Sequence, residues 1–238
     1  MALWFISTFL SYYIKGICGF ANTLVFTAML SFTNSNALIS PVSLMLSQPA
    51  NALVAFKDCK LIDWKVCSLL SALVLAGSIP GAFFLKNADA GIIKLLFGVV
   101  IILLGVENLL RDKLTKKGEP SKAMLMAIGV VSGLLCGLYG VGALITAYLS
   151  RVIDDSRAFK ANLCFVFLVD GTFRFFLYLF SGLLTSEILL MSLVLLPVSL
   201  FGLWAGMRSC KFINEQNAKK VVAAALILSG IALIAANL

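Results

Sequence analysis

Asp170 and Arg174 stand four residues apart in the stretch 161–183, which carries no other charge. On a helix, that spacing puts both side chains on one face. A guanidinium can hold an oxyanion through two N–H donors, with Asp170 as its partner when no anion is present. Protonating Asp170 would release Arg174, which makes Asp170 the candidate coupling group for a proton. The same pair also reads as a salt bridge that neutralises itself and positions its helix. A second polar group, Ser47-Gln48-Pro49-Ala50-Asn51, lies in the stretch 35–56. Gln48 and Asn51 supply amide donors and acceptors. They are expected to face Asp170, Thr172 and Arg174, or to make ordinary hydrogen bonds between helices. Pro41 and Pro49 remove backbone donors, so this helix is expected to kink or unwind.

Two glycine-bearing runs, Lys15-Gly-Ile-Cys-Gly19 and Cys136-Gly-Leu-Tyr-Gly140, interrupt the apolar segments 3–32 and 123–150. Glycine permits a tight turn. A short helix starting after each run, near Phe20 and Val141, has free N–H groups and a positive dipole end. Two such ends facing each other make an anion site without any enzyme-like motif. Gly19, Phe20, Ala21, Gly140, Val141 and Gly142 would then line it, with Asn22 and Tyr139 beside them. Lys15 adds a second cation to the site, or snorkels from a shallower tip. The alternative role for these glycines is close helix packing. Cys18 and Cys136 flank the tips, as small residues at a turn or as thiols for a sulfur substrate.

These residues sit in an apolar frame. Of the 238 residues 61% are hydrophobic and 13% charged, and mean hydropathy is +1.03. A soluble domain of this length cannot hide so much apolar surface, whereas lipid suits it. Apolar segments cover 3–32, 35–56, 66–85, 91–110, 123–150, 161–183, 187–207 and 219–237. A spanning helix needs about 20 apolar residues. All but 3–32 and 123–150 fit that length; these two are too long for one crossing and too short for two. The first segment has no basic residue before Lys15 and no small-residue cleavage pattern, so it is expected to be retained. The net charge of +8 sits in short loops, which fits anionic headgroups rather than nucleic acid. There is no histidine and no CxxC among the six cysteines, so no metal or other cofactor is expected.

The halves repeat. Gly16-Ile-Cys-Gly19-Phe-Ala21 aligns with Gly137-Leu-Tyr-Gly140-Val-Gly142, and the same offset lays Gly81 over Gly202 and 41–56 over 162–177. After a short insertion Lys94 lies over Lys219. If every segment crosses once, Lys and Arg divide almost evenly between the two sides, against the positive-inside rule. If 3–32 and 123–150 are instead re-entrant hairpins, every loop Lys and Arg except Lys86 and Lys94 falls on one side. Lys15 and Arg174 then lie inside the membrane. The expected fold is therefore an all-α integral membrane protein of two inverted-topology repeats, each a re-entrant hairpin plus three transmembrane helices. The first repeat is 1–110 (hairpin 3–32, helices 35–56, 66–85, 91–110). A basic cytoplasmic linker covers 111–122. The second repeat is 123–238 (hairpin 123–150, helices 161–183, 187–207, 219–237), and both termini lie outside the cell membrane. Inverted repeats with broken helices are a transporter architecture, with the site near the midplane.

The two glycine tips, the polar Asn51 before the Lys57–Lys65 loop with its Ile62-Asp63-Trp64-Lys65, and the Gly81 and Gly202 helices resemble the TauE/SafE sulfite-exporter family. The resemblance covers nearly the whole chain. Ala21, Asn22 and Thr23 stand where that family often carries glycine. The resemblance implies secondary transport of small sulfur-containing anions such as sulfite, sulfonates or related organic acids, often outward.

The function expected from the chain is alternating-access transport of a small anion, with membrane lipid as the other partner and a proton as coupling ion. The alternatives are a membrane subunit of a larger transport system and a passive anion channel. No phosphate-binding Gly-Lys-Ser/Thr loop is present for ATP hydrolysis. An enzyme is disfavoured by the lack of histidine. Small-residue faces leave room for a homodimer.

Overall fold

The computed structural model describes residues 1–87, 89–114, 122–153, 155–209 and 215–237. The described residues form ten α-helices, one 3-10 turn (Cys59–Leu61) and no strand. The helices are α1 (Ala2–Cys18), α2 (Asn22–Leu30), α3 (Asn36–Lys57), α4 (Trp64–Asn87), α5 (Ala90–Leu114), α6 (Lys122–Tyr139), α7 (Ala143–Val152), α8 (Ser156–Phe180), α9 (Ser186–Ser209) and α10 (Glu215–Asn237).

The two long apolar segments are each broken at their glycines. Gly19 takes a left-handed φ of 84° and returns its N–H to the Lys15 carbonyl at 2.7 Å, which ends α1. Gly140 does the same with φ 70°, donating to the Cys136 carbonyl at 2.8 Å. Such a cap satisfies a terminal carbonyl while turning the chain. The following helices start at Asn22 and Ala143, slightly later than expected, because Ala21 is also left-handed and Val141 and Gly142 lie outside the helix, Gly142 with φ −108° and ψ 39°.

Three sequence expectations change. First, α8 begins at Ser156 rather than 161, since the Asp155 carboxylate accepts the Ala158 N–H at 2.7 Å and caps it. Second, α3 is continuous through Pro41 and Pro49. Each proline deletes a single donor, and the remaining backbone bonds of a 22-residue helix hold it together. Third, part of the expected linker is helical: α5 runs on to Leu114 and α6 starts at Lys122. Residues 115–121 of that linker lie outside the described residues.

Among the described residues, four helices are long and apolar enough to cross a membrane: 36–57, 64–85, 156–180 and 186–209. α5 and α10 supply shorter apolar stretches, 91–106 and 220–235. Large apolar side chains such as Phe83, Phe180 and Leu193 point outward, while Lys15, Asn51, Asp170 and Arg174 are buried. Polar inside and apolar outside is the arrangement lipid demands, because hydrocarbon cannot solvate a charge.

The helices pack in pairs. α1 lies along α9, α6 along α4, α5 along α10, and α3 crosses α8. The first two contacts rest on glycine. A Cβ on Gly16 would lie 2.6 Å from the Leu203 carbonyl oxygen, and one on Gly137 would lie 2.5 Å from that of Ser78. Backbones this close gain van der Waals contact, which drives association where no hydrophobic effect operates.

Candidate functional site

Both helix breaks meet at one cavity. It is lined by Lys15 of α1, by Phe20 and Ala21 of the first break, and by Asn22, Thr23 and Leu24 of α2. α3 contributes Ser43, Leu44, Ser47, Gln48 and Asn51. The opposite wall is Gly140, Val141 and Gly142 of the second break, Thr146 of α7, and Phe167 and Arg174 of α8. The cavity measures about 40 Å³, on a scale where one water needs ~10–15 Å³. It therefore suits a few waters or one small oxyanion. α2 begins at the cavity with Asn22, Thr23 and Leu24, and α7 starts just after the lining residue Gly142; the first N–H groups of a helix have no partner within it.

The two cations are held differently. Arg174 donates from Nε to Asp170 Oδ2 at 2.9 Å and from Nη1 to the Cys136 carbonyl at 2.7 Å. The second carboxylate oxygen, Asp170 Oδ1, accepts from the Ser78 hydroxyl. Tyr178 closes the cluster by donating to the Gly137 carbonyl at 3.0 Å. Arg174 is thus neutralised within its own helix and tied to the carbonyl end of α6.

Lys15 meets neutral oxygens. Its Nζ donates to Asn51 Oδ1 in a short hydrogen bond and lies 3.5 Å from Asn22 Oδ1. Asn22 Nδ2 donates to Ser47 Oγ at 3.0 Å. Ser47 in turn donates to the Ser43 carbonyl at 2.6 Å, so the Tyr12 hydroxyl, 3.0 Å away, donates to Ser47. Among the described residues no carboxylate pairs with Lys15. It is 2% exposed. A charge buried here without a counter-charge is costly, and an anion in the cavity would relieve that cost.

A family model described as "Sulfite exporter TauE/SafE" matches residues 4–233. The chain belongs to the TauE/SafE family. No curated protein and no solved structure is significantly similar to it. TauE/SafE proteins are membrane transporters, and the apolar helices agree with a multi-pass membrane protein.

In this TauE/SafE chain, Lys15, Phe20, Ala21, Asn22, Gln48, Asn51, Gly140, Val141, Gly142 and Arg174 come together around the cavity. Four expected residues do not line it. Asp170 is fully buried behind Arg174. Gly19 faces the Lys160 side chain, whose ammonium caps the Ile17 carbonyl at 2.9 Å. The Tyr139 hydroxyl turns away to the Ile93 carbonyl at 3.0 Å, with its ring against Phe97. Thr172 is exposed and donates to the Leu168 carbonyl at 2.8 Å, so it lies on the far side of α8. The expected neighbours of Asn51 and Gln48 also change. Asn51 serves Lys15, and Gln48 packs on Gly171 and reaches the Phe167 carbonyl at 3.5 Å. Cys18 and Cys136 are buried beside the tips and do not line the cavity.

Thr23, Ser43, Thr146 and Phe167 are lining residues that the sequence argument missed. One was readable. Asn36, Ser40, Ser43, Ser47 and Asn51 recur at helical spacing along α3 and are all buried, which is a polar stripe on an otherwise apolar helix.

Proposed function

We propose that this chain is a secondary transporter that carries a small sulfur-containing or organic anion, such as sulfite or a sulfonate, outward by alternating access. The observation that carries this reading is the cavity in which two helix N-termini, Lys15 and Arg174 converge. Helix N-termini and buried cations are the chemistry of an anion site. A unit charge ~4 Å from an ammonium gains about 4 kcal/mol at an effective dielectric of 20. The small volume favours an ion of a few heavy atoms.

Alternating access calls for two inverted repeats, 1–110 and 123–238, each with a re-entrant hairpin. Support comes from the packing: α1 on α9 and α6 on α4 are the same contact with the halves exchanged, and α3–α8 and α5–α10 map onto themselves. Gly16 faces Gly206 as Gly137 faces Gly81, so Gly206 rather than Gly202 is the counterpart of Gly81. On this arrangement the basic loops are cytoplasmic, both termini are outside, and the cell membrane is the site of action. A membrane-impermeant thiol reagent should label an introduced cysteine in the 115–121 segment only after the cells are opened; labelling of intact cells would overturn the topology.

The functional test is counterflow in proteoliposomes with sulfite, sulfonates and carboxylates. Saturable exchange of at least one small anion is expected, weakened by Arg174→Gln. Failure of every anion to exchange would remove the anion reading.

A further inference from the structure

The two cations that line the cavity leave the proton in different places. Asp170 is the obvious acid, yet it is fully buried, and its two oxygens are engaged by Arg174 and Ser78. Its path to the cavity is blocked by the guanidinium it neutralises. A proton arriving there would have to break a closed ion pair.

Lys15 is placed the other way round. Its amine lines the cavity, and its hydrogen-bond partners are the neutral amide oxygens of Asn51 and Asn22. The titratable and charged groups around it come from few elements. α1 itself supplies Tyr12, bonded to Ser47, and Cys18. α8 supplies the buried thiol of Cys164, and Lys160, whose ammonium is on the Ile17 carbonyl. α2 and α3 present Asn22, Ser43, Ser47 and Asn51, all neutral. α9 packs on Gly16 through its own glycine, and its Arg208 stacks 5.9 Å over Trp204, which is more than half exposed. Lys220 of α10 is exposed. None of these is a carboxylate.

We infer that Lys15 is the proton-carrying group of the transport cycle, neutral in the empty cavity and protonated when an anion occupies it. This rests on the proposed anion site. The balance is simple: amine, proton and anion combine to an ammonium–anion pair, and on the other side of the membrane the pair releases both. No electron moves and no covalent bond to the anion forms. Amide oxygens solvate either form of the nitrogen, so Asn51 and Asn22 tolerate the change. The anion supplies the only counter-charge the site lacks, since an unpaired ammonium is expensive in a low-dielectric interior. Proton and anion uptake are thereby linked, each raising the affinity for the other. Arg174, permanently charged and already neutralised, would orient the anion without titrating.

The test uses the full chain in proteoliposomes that enclose a pH-sensitive dye. The probe is isethionate, a sulfonate that stays ionised at all working pH values, so any proton that moves is not carried by the substrate; sulfite is the second arm. An inward isethionate gradient should acidify the lumen with one proton per anion, and the uptake rate should not respond to a potassium–valinomycin potential. In Lys15→Arg, whose charge cannot be lost, the remaining net anion uptake should carry no proton and become potential-dependent. Lys15→Met should lose anion exchange. Wild-type uptake of isethionate without acidification overturns the proposal, with no need for a variant to fold. So does acidification by Lys15→Arg in step with its uptake. If wild type exchanges neither isethionate nor sulfite, the anion site itself fails, a result separate from exchange without protons. If sulfite alone is exchanged, the potential dependence of wild type against Lys15→Arg decides, and identical behaviour overturns the assignment.

Discussion

The two breaks are built on the same contact, with the cation moved to the other partner. In the first half, Lys15 on the tip helix reaches Asn51 on α3. In the second, Arg174 on α8 reaches back to the Cys136 carbonyl on the tip helix. The second half then adds Asp170, Ser78 and Tyr178 and closes its charge internally. The first half adds only amides and hydroxyls. Arg174 is paired with a carboxylate, whereas Lys15 meets only neutral groups among the described residues.

The strongest way to break this comparison is to remove each charge and measure stability of the purified protein. Asp170→Ala strands a buried guanidinium, so unfolding should become easier by ~3–5 kcal/mol, read as a large drop in melting temperature in detergent. Lys15→Met should change the same measurement by less than about 1 kcal/mol, because water in the cavity can satisfy the amide oxygens. Equal losses from both variants would mean that the two cations are equally structural.

The glycine crossings sharpen the comparison from the other direction, since they should be alike. Gly16→Ala and Gly137→Ala each push a methyl group into facing backbone. Each should cost ~1–3 kcal/mol, and a variant pair that differs widely in melting temperature would argue against equivalent packing of α1 on α9 and α6 on α4.

At the breaks themselves the signs should differ. Gly140→Ala places a side chain at φ 70°, 3.0 Å from the Thr23 methyl, and should cost at least ~1–2 kcal/mol. Ala21 already holds φ 73°, so Ala21→Gly should be neutral or stabilising by up to about 1 kcal/mol in the same assay. The smallest effect is expected at Thr172, which is exposed and bonded within its own helix. Thr172→Val should stay within ~0.5 kcal/mol of wild type and leave anion exchange intact.

Local features were legible in the sequence. The Asp170–Arg174 pair is set by helical spacing, and it forms. The breaks at Gly19 and Gly140 follow from a left-handed conformation that glycine adopts without cost. The apolar segments marked the helices to within a few residues, apart from the N-terminus of α8, where the Asp155 cap was overlooked. What failed was orientation about helix axes. Thr172 lies two residues from both Asp170 and Arg174 in sequence, yet it points to the opposite side of α8. Tyr139 adjoins the Gly140 turn and still bonds away from the cavity.

The sequence by itself determined that this chain is apolar, helical and interrupted twice by glycine, because composition and spacing along one helix are local properties. Only the tertiary structure decided that Lys15 finds Asn51 and, among the described residues, no carboxylate, and that Asp170 sits behind Arg174. Those partners come from different helices, and which ones meet depends on how each helix is rotated when glycine lets the backbones close. Whether a buried charge is already paired is therefore decided by packing, not by the residue that carries it.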